Sequence, residues 1–243
     1  AYSGGLDTSV LLTWLKGKYD AQIIAFCADI GQKEELRGLD KKARKSGAKK
    51  IYIDDLREEF ATYFIYPLIQ AGAIYEDQYY LGTSIARPLI AKRMVEIAKS
   101  ENAQAIAHGA TGKGNDQVRF DVSFQTLAPD LRIIAPVREW KWTRTEEMEY
   151  AAKHNISVPV TTENPFSIDQ NIWGRSCEAG VLEDPWVTPP SEAYSWTSDP
   201  SDAPDEPALI EVEFEQGKPI ALNERREDGL SIISQLNELG GTH

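Results

Sequence analysis

The sequence begins AYSGGLDTSVLLTWLKGK (residues 1–18). Two glycines sit between a serine and an aspartate. An apolar run at helical spacing follows at once, with Val10, Leu11, Trp14 and Leu15 on one face of a helix expected over residues 7–18. A glycine turn that opens a helix favours anions. The first amides of a helix lack intrahelical acceptors, the dipole adds positive potential, and glycine permits positive φ and close approach. Ser3, Thr8 and Ser9 would add hydroxyl donors. A carboxylate beside a phosphate needs a cation between them. Asp7 therefore reads as a helix-start residue that also faces Mg²⁺, directly or through water. SGG alone is equally a plain glycine turn capped by Asp7 or Thr8.

Outward from this stretch, strands and helices alternate. QIIAFCADI (22–30) is an apolar, β-branched run of the kind buried on both faces of a parallel sheet. A polar helix (34–47), a strand (49–55), two helical stretches (55–72 and 84–100), a strand (103–109), a helix (115–128), a strand (131–136) and a helix (145–154) follow. Alternation of this kind predicts a Rossmann-like, doubly wound parallel sheet, an α/β fold. The pattern changes near 157, so the expected division is a nucleotide-binding domain over 1–157 and a second domain over 158–243. In the second, residues 159–180 show little periodicity and 185–207 form a Pro/Ser/Asp-rich connection. A hairpin is expected around Gln216-Gly217, and a short helix over 230–239.

Composition narrows the function. The chain has 243 residues, a net charge of −12 and two cysteines, Cys27 and Cys177, far apart in sequence. Such a charge argues against nucleic acid, whose binders present a basic face. No apolar run approaches the ~20 residues of a membrane span, and no signal peptide is visible. Scarce cysteines fit a reducing cytoplasm. No zinc-ligand spacing occurs, and no metal-ligand set is assigned. A repelling global field leaves short-range donors to hold any anionic ligand.

HGATGKGNDQVRFD (108–121) joins a strand to a helix, with three glycines around Lys113 and Asn115 or Asp116 available as caps. It reads as a second ligand loop on the sheet edge where the strands' carboxyl ends lie. His108 reads as hydrogen-bonded structure, Cys27 as core, and the tryptophans after residue 139 as packing or interface. The common NTPase loop is absent. SGGLDTS resembles the S-G-G-x-D-[ST] pyrophosphate loop of the N-type ATP pyrophosphatases, which cleave ATP between the α and β phosphates. With ADIGQKEE (28–35), YEDQYYLGTSIARPLIAK (75–92), HGATGKGNDQVRFD, ENPFSIDQNIWGRSCEAG (163–180) and LIEVEFEQGKP (209–219), the chain resembles the argininosuccinate synthase family.

The resemblance implies an adenine nucleotide alpha hydrolase type of sheet followed by the start of an α+β synthetase domain. It implies ligation of citrulline and aspartate through citrullyl-AMP, with ATP and Mg²⁺, in a homotetramer. By position, Ala1, Tyr2, Ser3, Gly4, Gly5, Leu6, Asp7, Thr8 and Ser9 match the ATP loop, and Ala28 and Gly109 match further ATP contacts. Tyr79, Ser84, Arg119, Ser167 and Ser176 match citrulline contacts. Thr111, Asn115 and Asp116 match aspartate contacts, with Asn115 shared. Asp7, Asp116 and Arg119 are the expected catalytic set: Arg119 suits the citrulline carboxylate, and Asp116 suits the aspartate ammonium and its deprotonation. Ser84 also reads as the N-cap of the helix after it. In those folds a central strand precedes the first loop, and further citrulline contacts follow. The expectation is therefore a chain truncated at both ends. tRNA-thiolating or amidating relatives would bring a basic surface, catalytic cysteines or a glutaminase domain, none of which is evident. A bare nucleotide-binding module would leave residues 163–180 unexplained.

Overall fold

A computed structural model describes residues 1–156 and 166–243, apart from Lys113 and Lys141. The boundary expected near 157 and the start of ENPFSIDQ lie outside the described residues. The chain divides into two compact units. One takes in Ala1–Asp55 and, from Ser84, the described residues up to 156; the other takes in Leu56–Thr83 and those from 166 to His243. The segment 56–83, expected within the first domain, groups with the second unit.

In the first unit, α1 (Leu6–Tyr19) is followed by β1 (Ile23–Asp29), α2 (Leu39–Lys45) and β2 (Ala48–Asp55). Strands β1 and β2 pair in parallel, Ala25 opposite Ile51 and Cys27 opposite Ile53. The polar helix expected over 34–47 is interrupted. A 3₁₀ turn, Lys33–Leu36, precedes α2, because Gly38 at φ +70° breaks the helical path between them.

The second unit begins with α3 (Arg57–Phe60), a π turn (Ala61–Ile65) and α4 (Tyr66–Gln70), which form one helical stretch. The chain then returns to the first unit through α5 (Ala86–Ser100), β3 (Ala105–Ala107), α6 (Asp116–Leu127), β4 (Arg132–Ile134), α7 (Pro136–Trp140) and α8 (Arg144–Lys153). Strands β3 and β4 also pair in parallel.

Ala1 and Tyr2 link the two strand pairs. The Ala1 amine donates to Ala107 O at 2.7 Å, and Tyr2 N–H donates to Phe26 O at 2.8 Å. Consecutive residues that bond to opposite sides are how a strand lies between two others. The chain then leaves through Ser3–Gly5 into α1. That helix is buried around much of its circumference. Leu12 packs with Leu39 and Ala43 of α2, Leu6 and Val10 with Ala151 of α8, and Leu11 and Leu15 with Ile134 of β4. Burying one such leucine contributes roughly 2 kcal/mol, so α1 fixes the direction in which its own N-terminus points.

The second unit holds β5 (Ser167–Gln170), β6 (Arg175–Glu178), β7 (Val212–Glu215), β8 (Lys218–Leu222), β9 (Arg225–Arg226) and α9 (Gly229–Thr242). The expected hairpin forms, with Gln216 at φ 50° and Gly217 at φ +76°, the left-handed pair that two-residue turns favour. β9 adds a third antiparallel strand, and α9 packs on β8 through the elements that bury Ala221, Leu222, Ile232 and Ile233. Residues 167–178, expected without periodicity, form the β5–β6 hairpin. Its turn is tied internally: the buried Asn171 donates to Gly82 O at 2.8 Å and accepts from Trp173 N–H and Gly174 N–H. Among the described residues no helix is long and apolar enough to cross a membrane.

Candidate functional site in the first unit

The first glycine loop is shaped from within. Gly4 takes φ +82°, and a Cβ there would stand 2.5 Å from Leu39 Cδ1, so no other residue fits without strain. Ser3 N–H donates to Thr8 Oγ1 at 3.3 Å, the two hydroxyls lie 3.2 Å apart, and Gly5 N–H donates to Ser3 Oγ at 3.3 Å. The Lys42 ammonium of α2 donates to the Gly4 carbonyl. Burial pushes the pKa of Lys42 down. Nothing in the polar segment KKARK singled out Lys42, because only the packing of Leu39 and Ala43 turns it toward the loop.

Gly5 occupies the N-cap position of α1, with no side-chain cap from Asp7 or Thr8. The first helical bond is Ser9 N–H to Gly5 O. The amides of Leu6, Asp7 and Thr8 precede that bond and so have no acceptor within the helix. The side chains of Tyr2, Leu6 and Ser9 are buried. Tyr2 N–H is taken by Phe26 O and Ser9 N–H by Gly5 O, so of these three only Leu6 keeps an amide with no acceptor within the helix. Ser9 was expected to present its hydroxyl. Instead it turns inward, 3.4 Å from Tyr2 Oη, because it shares the buried face of α1.

Asp7 meets a partner that sequence reasoning missed. Glu147 of α8, 5% exposed, is pushed up to about 8 by burial first, and then by the Asp7 carboxylate that it meets in a hydrogen bond. The signal in the sequence was slight: a glutamate four residues before Ala151, on the face of α8 that packs against α1. Two carboxyl groups at the mouth of a glycine loop are hard oxygen donors of the kind Mg²⁺ takes. No group of three or more metal-ligating side chains gathers among the described residues.

The second glycine loop adjoins the first. A Cβ on Gly109 would stand 3.4 Å from Thr8 Cγ2 and 3.7 Å from Leu11 Cδ1, so the start of this loop rests on the first turns of α1. Ala28, at the end of β1, is buried, and its carbonyl accepts from Gln32 Nε2 at 2.5 Å. At the far end of the second loop neither expected cap forms. Asn115 holds the N-cap position of α6 with no side-chain bond to the helix. The Asp116 carboxylate faces away from capping because two guanidinium groups claim it: Arg87 Nε at 2.8 Å on Oδ2 and Arg119 Nη1 at 2.6 Å on Oδ1. Burial raises its pKa, but these two cations outweigh burial and hold it below the usual carboxylate range. Thr111 is exposed in the loop between.

The remaining expected contacts divide between the units. Ser84 is buried at the start of α5, where Ile85 and not Ser84 holds the N-cap position. Tyr79, Ser167 and Ser176 belong to the second unit. There Tyr79 Oη lies 2.8 Å from Thr83 Oγ1, and Ser176 Oγ donates to Asp169 O at 3.5 Å across the β5–β6 pair.

Comparison with known proteins bears on this arrangement. Residues 1–157 match the family model described as the arginosuccinate synthase N-terminal HUP domain, and residues 166–243 match that of the C-terminal domain. The first unit, with its parallel strands and glycine loop at a helix start, is thus of the HUP class. The chain belongs to the argininosuccinate synthase family. It is 55% identical to the argininosuccinate synthase of Symbiobacterium thermophilum, and 54% identical to those of Carboxydothermus hydrogenoformans and Chlorobium phaeobacteroides. Each alignment covers 100% of this chain and 61% of the relative, so the chain spans about three fifths of the length of these curated proteins.

Proposed function

We propose that the protein of which this chain is part is a cytoplasmic, homotetrameric ligase joining citrulline and aspartate, with ATP converted to AMP and pyrophosphate. The two strand pairs and the Ala1–Tyr2 stub between them are read as one doubly wound sheet of the adenine nucleotide alpha hydrolase type. Residues 158–243 are read as the beginning of an α+β synthetase domain, which follows a nucleotide-binding domain over 1–157. The observation that carries the reading is Gly109 resting on Thr8, which puts both glycine loops at one edge of the first unit.

On this reading the amides of Leu6, Asp7 and Thr8, with the hydroxyls of Ser3 and Thr8, hold the phosphates. Main-chain donors fixed at a helix start need no reorganisation as charge gathers, and each is worth roughly 3–4 kcal/mol in comparable oxyanion sites. Mg²⁺, held by Asp7, would supply positive charge for the departing pyrophosphate. The citrulline ureido oxygen attacks the α-phosphorus, and orientation contributes up to about 7–11 kcal/mol to such a step. Arg119, Tyr79, Ser84, Ser167 and Ser176 take citrulline; Thr111, Asn115 and Asp116 take aspartate. The aspartate amine then displaces AMP. Asp116, held ionised by two arginines, suits an ammonium ligand better than a proton carrier. Citrulline labelled with ¹⁸O in the ureido group tests the reaction: the label is expected in AMP only when all three substrates are present. Unlabelled AMP would refute it.

A further inference from the structure

His108 directly follows β3 and opens the second glycine loop, and its side chain is fully buried. The ring stacks on Phe120 at 5.4 Å. Its Nε2 lies 2.9 Å from Asp121 Oδ1, and its Nδ1 accepts from Ala110 N–H at 3.2 Å. A carboxylate has no proton to give, so the ring N–H sits on Nε2 and Nδ1 stays an acceptor. Burial holds the ring's pKa below its ordinary value against the pull of Asp121, while Arg138 also disfavours a charged ring.

The second oxygen of Asp121 accepts from Arg138 Nη1 at 2.9 Å. The same nitrogen donates to Gln117 Oε1 at 3.1 Å, and Gln117 Nε2 donates to the Gly112 carbonyl at 2.9 Å. The methylene stem of Arg138 lies beside Gly112, where a Cβ would stand 3.7 Å from Arg138 Cγ. One connected network from α6 and α7 thus holds the loop at two main-chain points, Ala110 N–H and Gly112 C=O. Thr111 lies between them.

We infer that His108, Asp121 and Arg138 are positioning residues that set the shape of the second glycine loop, and through it the aspartate contacts, without touching substrate. The identity of the ligand rests on the proposed function; the holding of the loop does not. In the full-length protein, His108→Phe keeps the ring stack and removes the acceptor. His108→Asn places an amide oxygen near the former Nδ1. Arg138→Met acts on a partly exposed side chain and leaves the core intact. One lost hydrogen bond of about 1 kcal/mol corresponds to about fivefold. The KM for aspartate is therefore expected to rise about five- to tenfold in His108→Phe and Arg138→Met, with kcat within about threefold. His108→Asn is expected to restore most of it. An unchanged aspartate KM in a folded His108→Phe or Arg138→Met, or a loss confined to kcat, would overturn the inference.

Two readouts are independent of turnover. Nitrogen-15 NMR is expected to find Nδ1 of His108 unprotonated, and a proton there refutes the network. Exchange of the Ala110 amide is expected to accelerate in both variants, and equal protection refutes the holding role. A protein with no aspartate-dependent turnover would sink the proposed function, while the NMR and exchange results would still decide this one.

Discussion

Asp116 shows how much a single residue's role depends on neighbours distant in sequence. In isolation it reads as a helix cap or a base. Arg87, from α5, and Arg119, one turn along α6, make it a fixed anion. A carboxylate with a depressed folded pKa stabilises the protein above its ordinary value, and that contribution is lost as pH falls through the folded value. Asp116→Asn is expected to raise the aspartate KM about tenfold or more, as loss of a charge-assisted contact does. It should also flatten the acid limb of stability below pH 4, read by thermal unfolding. Unchanged aspartate kinetics would remove Asp116 from the site. Glu147 behaves oppositely. Its pKa of about 8 lies above the unfolded value, so its stabilisation is complete below about pH 4.5 and is lost as pH rises toward 8. Glu147→Gln, measured without nucleotide or divalent cation, is therefore expected to raise Tm by about 4 °C or more at pH 8. The gain should vanish near pH 4.5, and equal Tm values at pH 8 would show that the Asp7–Glu147 contact is not as described.

Elements carry the next level. The helix start at Gly5 was legible because glycine before an apolar 3.6-residue repeat has few other uses. The conformation of Gly4 was not, since it depends on Leu39 across the core. Gly4→Ala combines a left-handed φ with that overlap. It is expected to cost about 1–3 kcal/mol and to weaken ATP binding at least tenfold, by calorimetry. Full retention of affinity would move the phosphate site elsewhere. Similarly, residues 167–178 carry no clear alternation, and their hairpin is held by the buried Asn171. Asn171→Ala leaves Gly82 O, Trp173 N–H and Gly174 N–H without that partner. It is expected to destabilise the second unit by about 2–4 kcal/mol in urea titration; a neutral result would mean that water satisfies the turn equally well.

At the scale of the whole chain, the net charge of −12 opposes an anionic nucleotide, and on the proposed reading its capture falls to a few donors at the mouth of α1. Raising ionic strength from about 20 to 200 mM shortens the screening length severalfold, so the ATP association rate is expected to rise in stopped-flow. A fall would mean that the local cations, Lys42 among them, dominate the approach. The sequence by itself determined the order of strands and helices from α1 to β4, the two glycine loops and the family. Those features are written in local spacing and in long ordered motifs. Tertiary structure alone decided that residues 56–83 group with the second unit, that Ser9 faces inward, and that Glu147, Lys42 and His108 serve the loops. The first depends on contacts of α4 with β8 and of Gly82 O with Asn171; the others depend on which side chains the packing of α1, α2, α6 and α8 brings within hydrogen-bonding distance. No periodicity along the chain encodes such meetings.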